Sequence, residues 1–195
     1  MQSWGMILDL ASKAQEDLSF IRSAMSRVAN VSSVSGLGGM LMGGVALLAA
    51  LSAQLEVSLT SQLAIWLYAA PPAVLLGTWA TIRKARSAPV HWDPVRRFLL
   101  CLVPVMAVCA LLTWQLWQYE LWLLIAPLWM LLYGCGVLAA GTYAVASVSY
   151  VGVCFLSFGL LAMFSPPSWH NALLAASFGG VHIVFGWRIY RHHGG

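Results

Sequence analysis

The sequence predicts an all-α membrane protein, a bundle of six transmembrane helices preceded by an amphipathic N-terminal helix that is cytoplasmic or interfacial, with both termini in the cytoplasm. Three observations lead there. Only 8% of the 195 residues are charged and 61% are hydrophobic, whereas a soluble domain carries roughly 25% charged residues. Six apolar runs follow one another with short connections, each close to the ~20 residues that cross a bilayer as a helix. The ten Lys and Arg residues gather in segments that a six-span topology brings to one face. The net charge of +4 is thus a topology signal rather than a nucleic-acid footprint, and direct nucleic-acid binding is not expected.

Residues 1–32 form the first element. Asp9, Lys13, Glu16 and Asp17 interrupt any apolar stretch, so the segment is not expected to be a cleaved signal peptide. Ile7, Ala11, Ala14, Leu18, Ile21, Met25 and Val28 follow alternating spacings of four and three, which places them on one helical stripe. Such a stripe must be buried, but it does not name what buries it. The bilayer interface, the protein's own bundle, a second protomer and a cytosolic regulatory protein all satisfy it. These residues are the candidate partner-binding surface, and Ser32, Ser33, Ser35 and Gly36 break the helix before the membrane.

Residues 33–195 form the membrane domain, with spans expected at 34–53, 59–82, 98–117, 121–140, 143–164 and 171–187. The first is glycine-rich, and Gly39 and Gly43 form a small-x-x-x-small pair that lets another helix approach closely, from the same chain or a second copy. Lys13, Arg22 and Arg27 precede the first span, Arg83, Lys84, Arg86, Arg96 and Arg97 lie between the second and third, and Arg188 and Arg191 follow the sixth. That bias makes their face cytoplasmic and the protein a multi-pass component of the bacterial cytoplasmic membrane. The turn at Gly141 and Thr142 falls on the same face without a basic residue, and it is the weakest joint of the scheme.

Trp114, Trp117, Trp122 and Trp169 cluster at the proposed outer boundary and Trp79, Trp92 and Trp187 at the inner one, as amphipathic rings at headgroup depth should. Trp66 and Trp129 fall deeper and have no such explanation. Trp66-Leu67, Ala70-Pro71 and Leu75-Leu76 recur at identical spacing as Trp122-Leu123, Ala126-Pro127 and Leu131-Leu132. This echo reads either as a repeated hairpin whose prolines break helices around a site or as a chance match among residues common in membrane helices.

The sequence excludes more chemistry than it offers. No Asp, Glu, Lys or Arg lies within an expected span, which argues against proton- or ion-coupled transport and against a retinal Schiff base. No nucleophile motif, zinc motif or phosphate loop is present, so no catalytic residue is assigned and the protein is expected not to be an enzyme. Cys101, Cys109, Cys135 and Cys154 fall in spans without a C-x-x-C spacing, so neither a disulfide framework nor a metal site is expected. His182 is the one imidazole inside a span. It reads as a ligand or cofactor contact, with Tyr133 and Pro127 as neighbours, or as a histidine hydrogen-bonded across helices to Tyr133 or Ser177. No particular cofactor can be named.

Four segments carry a family resemblance: residues 17–25 (Asp-Leu-Ser-Phe-Ile-Arg-Ser-Ala-Met), Gly38-Gly39 to Met42-Gly43, Leu131-Leu132-Tyr133-Gly134, and residues 178–186 (Phe-Gly-Gly-Val-His-Ile-Val-Phe-Gly). Together they resemble a family of small bacterial six-span integral membrane proteins, often encoded near a winged-helix regulator. The resemblance implies no activity and no catalytic residues. It places His182 inside a family-like motif and points towards a cytosolic regulatory partner, without implying transcriptional control. Three functional expectations follow: a non-enzymatic receptor or regulatory anchor acting through the N-terminal stripe, an intramembrane carrier of an apolar or haem-like ligand around His182, and a facilitator for a small neutral solute.

Overall fold

The computed structural model describes residues 34–87 and 92–193, together with Lys13, Gln15, Asp17 and Leu18. The chain divides into two units, Met1–Val31 and Ser32–Gly195. In the first, the four described residues are helical and exposed, Leu18 of the stripe among them. Ile7, Ala11, Ala14, Ile21, Met25 and Val28 lie outside the described residues.

The second unit contains six helical segments long and apolar enough to cross a membrane, and no strand among its described residues. In order they are α1 (Gly36–Gln54), α2 (Leu59–Ser87), α3 (Trp92–Gln118), α4 (Ile125–Ala140), α5 (Ala146–Phe164) and a composite sixth span. That last span runs through α6 (His170–Leu174), a π-helical stretch at Ala175–Val181 and α7 (His182–His193). The six apolar runs of the sequence each correspond to one of these spans. At the basic end α2 and α3 reach beyond the expected limits, because Lys84 and Arg86 fall in the last turn of α2, where cations complement the carbonyl end of a helix.

Capping and close packing set the arrangement. Ser35 ends the entry segment as the N-cap of α1, its hydroxyl accepting from Gly38 N at 3.2 Å. α1 and α7 pack antiparallel through glycines. A Cβ on Gly43 would stand 2.7 Å from Gly179 O, and one on Gly39 3.3 Å from Gly186 Cα. The Gly39/Gly43 face is therefore covered by the last span of the same chain. α4 and α5 form the other tight hairpin, where a Cβ on Gly152 would lie 2.7 Å from Leu138 N. Outward-facing residues such as Leu48, Leu51, Leu75, Val103 and Leu111 are exposed and apolar, as a lipid-facing surface requires.

The prolines do not break helices around a site. Pro71 and Pro72 lie inside an unbroken α2 and Pro104 inside an unbroken α3. Pro127 falls in the first turn of α4, where its missing N–H costs no hydrogen bond. The Trp-Pro echo is likewise not a structural repeat: Trp66 is buried about two turns into α2, while Trp122 opens a 3-10 turn ahead of α4. The end with the basic residues is dressed by cation–π contacts, Arg83 over Trp79 at 5.3 Å, Arg191 over Trp187 at 5.5 Å and Arg97 over Tyr143 at 5.9 Å.

Candidate functional site: an intramembrane cavity

Mid-span on α4, Tyr133 packs against Phe155 of α5 and Phe178 of the sixth span, with ring centroids 4.7 and 5.3 Å away. His182 closes this aromatic cluster. Its Nε2 lies 2.8 Å from Tyr133 Oη and its Nδ1 3.0 Å from Phe178 O. Because a carbonyl only accepts, Nδ1 carries the ring proton and donates to Phe178 O, which leaves Nε2 to accept from the Tyr133 hydroxyl. Both ring nitrogens are engaged, so neither presents a lone pair to a haem iron. Among the described residues no group of three or more His, Cys, Asp or Glu is placed to hold a metal ion.

Directly before His182 the chain departs from the regular helix expected for the sixth span. The π-helical stretch widens the backbone, and Ser177 Oγ donates to Leu173 O at 2.8 Å, satisfying a carbonyl four residues back in a setting where no water can do so. Ser177 is thus bonded within its own helix, and Tyr133 is the cross-helix partner of His182.

Two of the other polar links between helices account for the deep tryptophans. Trp129 Nε1 donates to Thr113 Oγ1 at 2.7 Å, and Thr113 Oγ1 donates to Cys109 O at 2.7 Å. Trp66 Nε1 donates to Asn171 Oδ1 at 2.9 Å, while Asn171 Nδ2 donates to Ala50 O at 3.1 Å and Gln54 Oε1 at 3.2 Å. Asn171 so ties α1, α2 and the sixth span together near their acidic end. The sequence carried a signal for both links: a buried indole N–H needs an acceptor, and Thr113 and Asn171 are polar residues on other spans.

Between these links lies a cavity of about 800 Å³. It is lined by Met42, Val45 and Ala46 of α1, by residues of α2 that include Trp66, Leu67, Ala73, Val74 and Leu75, and by Met106, Cys109, Ala110, Thr113, Trp114 and Trp117 of α3. Trp129 and Tyr133 of α4 with Phe178 and His182 complete it. Among the described residues no carboxylate, Lys or Arg lines it. α2 and α3 touch at only a few points, and the lining residues Leu67, Val74, Leu75 and Trp114 remain 36–69% exposed. The cavity therefore opens sideways between these two helices, at the depth of their apolar segments. The structure brings His182 and Tyr133 together on its wall; Pro127 is fully buried and is not part of the lining.

No protein-family model, curated protein or solved structure matches the chain.

Proposed function

We propose that this is a non-enzymatic, multi-pass protein of the bacterial cytoplasmic membrane that binds a small apolar molecule taken laterally from the bilayer into the cavity between α2 and α3. One observation carries the reading: an uncharged cavity of about 800 Å³ opening sideways between two apolar helices. Its size falls in the ~300–1,000 Å³ range of small-molecule sites, which likewise combine an apolar lining with a few fixed polar groups. The uncharged wall favours an apolar ligand over an ion or a charged solute. The N-terminal stripe is the proposed output surface, through which Leu18 and its companions meet a cytosolic regulatory protein or a second protomer.

The test is native mass spectrometry on the protein extracted gently from its host membrane, beside an Ala73→Phe variant. Ala73 lines the cavity, and a phenyl ring there fills part of the space. The expected result is an added mass on the wild-type protein, of an apolar small molecule, that is lost from the variant. A wild-type protein with no such adduct, or identical adducts on both, would overturn the reading.

A further inference from the structure

The hydrogen-bonding inventory of the cavity's deep wall specifies the polar group of its ligand, an inference that rests on the cavity being a ligand site. The donors at that depth are committed inside the protein. Trp129 Nε1 donates to Thr113 Oγ1, Thr113 Oγ1 to Cys109 O, His182 Nδ1 to Phe178 O, and Tyr133 Oη to His182 Nε2, at 2.7, 2.7, 3.0 and 2.8 Å. Trp66 Nε1, nearer the acidic end, is committed to Asn171. The Cys109 thiol adds only a weak donor.

Acceptor capacity is not exhausted in the same way. A hydroxyl oxygen has two lone pairs, and Tyr133 Oη accepts no hydrogen bond from any described residue. Two indole N–H groups, of Trp114 and Trp117, are left over on the wall among the described residues; Trp117 packs on Trp122 at the acidic end with centroids 6.4 Å apart, and Trp114, beside Thr113, is 63% exposed at the cavity's mouth. Tyr133 lies four residues beyond Trp129 on α4, so it is about 6 Å deeper than the Trp129–Thr113 link at 1.5 Å per residue.

A ligand whose only polar atom is a carbonyl or ether oxygen finds no donor at the depth of Tyr133. Turning the Tyr133 hydroxyl towards it would strip His182 Nε2 of its partner in a dry site. A ligand hydroxyl, by contrast, donates to Tyr133 Oη without disturbing anything. It extends a chain running ligand O–H to Tyr133 O–H to His182 Nε2, and from Nδ1–H to Phe178 O, in which each bond polarises the next. We propose that the cavity selects apolar alcohols or phenols, held through a hydrogen bond to Tyr133 Oη, over the corresponding ethers, esters and ketones.

The experiment uses the full chain in lipid nanodiscs and follows tryptophan emission, since Trp66, Trp114, Trp117 and Trp129 all line the cavity. The probes are retinol and retinyl methyl ether, which take up tryptophan excitation alike and differ only at the oxygen, where a methyl group replaces the hydroxyl proton. Wild-type protein is expected to bind retinol about tenfold more tightly than the ether, the effect of one buried hydrogen bond. In Tyr133→Phe/His182→Leu the ratio of retinol to ether affinity, taken within that one variant, falls to about one, and binding of the ether at all reports an intact cavity. In His182→Leu alone, the Tyr133 hydroxyl is released to donate and ether affinity rises towards that of retinol. Equal wild-type affinities, or a preference that survives in the double variant, overturn the selectivity and leave the cavity standing as a ligand site. Energy transfer to neither probe overturns the cavity reading and this inference with it.

Discussion

Glu120 is the one non-glycine with positive φ among the described residues, at 58°. It occupies the left-handed position that closes α3, with Leu121 N bonded to Leu116 O at 2.9 Å and Glu120 N to Trp117 O at 3.2 Å, the paired bonds of a Schellman cap. A left-handed conformation costs an L-residue about 1–2 kcal/mol, and glycine escapes it. Glu120→Gly is therefore expected to stabilise the protein by about 1 kcal/mol, read as a higher midpoint in thermal unfolding in detergent; an unchanged or lower midpoint would argue that the glutamate side chain supplies a compensating interaction. At this scale the sequence was legible at His182, where one polar side chain had to be satisfied in hydrocarbon. A lone imidazole on a span needs a partner, and Tyr133 was among those expected for His182. The same rule applied to the indoles of Trp66 and Trp129, yet it named no partner, because Asn171 lies 105 residues from Trp66 along the chain and only the packing of the sixth span brings them together.

Small residues govern the elements. Gly43 and Gly44 are neighbours on α1, but a Cβ on the first would meet Ile183 Cγ1 at 2.6 Å and Gly179 O at 2.7 Å, whereas one on the second meets nothing within 4 Å. Alanine is favoured over glycine within a helix by roughly 1 kcal/mol, and forcing a methyl against a packed backbone costs about 1–3 kcal/mol. Gly44→Ala is therefore expected to hold or raise stability and Gly43→Ala to lower it, a divergence between adjacent positions that thermal unfolding in detergent can measure. Equal effects would show that α7 withdraws from α1 at little cost. The Gly39/Gly43 spacing announced close approach, but a spacing on one helix does not contain the identity of the other, and α7 is the helix that fills it. The π-helical stretch at Ala175–Val181 was not legible either, because hydropathy reports which residues prefer lipid and is blind to one extra residue in a turn. Pro71 and Pro72 left a broken and an unbroken helix both open on the sequence, and α2 runs through them because a long helix among other helices tolerates a locally lost bond.

For the whole molecule, hydropathy carried the count of six spans, since a bilayer demands one property of every crossing segment. The cavity was out of reach of that argument. It exists because α2 and α3 touch at only a few points, a relation between helices that leaves no mark on either one alone. Orientation lies between these cases, and the end-to-end charge asymmetry makes it testable. The end bearing Arg83, Arg86, Arg96, Arg97, Arg188 and Arg191 opposes the end bearing Glu56 and Glu120, and we expect the basic end in the cytoplasm. With Cys101, Cys109, Cys135 and Cys154 replaced by alanine, single cysteines at Glu56 or Tyr119 should react with a membrane-impermeant maleimide in intact spheroplasts. One at Ser87 should react only after permeabilisation. The opposite pattern would invert the protein, and with it the proposed route of a ligand: Trp114 and Trp117 border the cavity on the acidic side, so the expected orientation turns that side towards the outer leaflet and sets the Tyr133–His182 pair deeper, where the proposed ligand hydroxyl would bind.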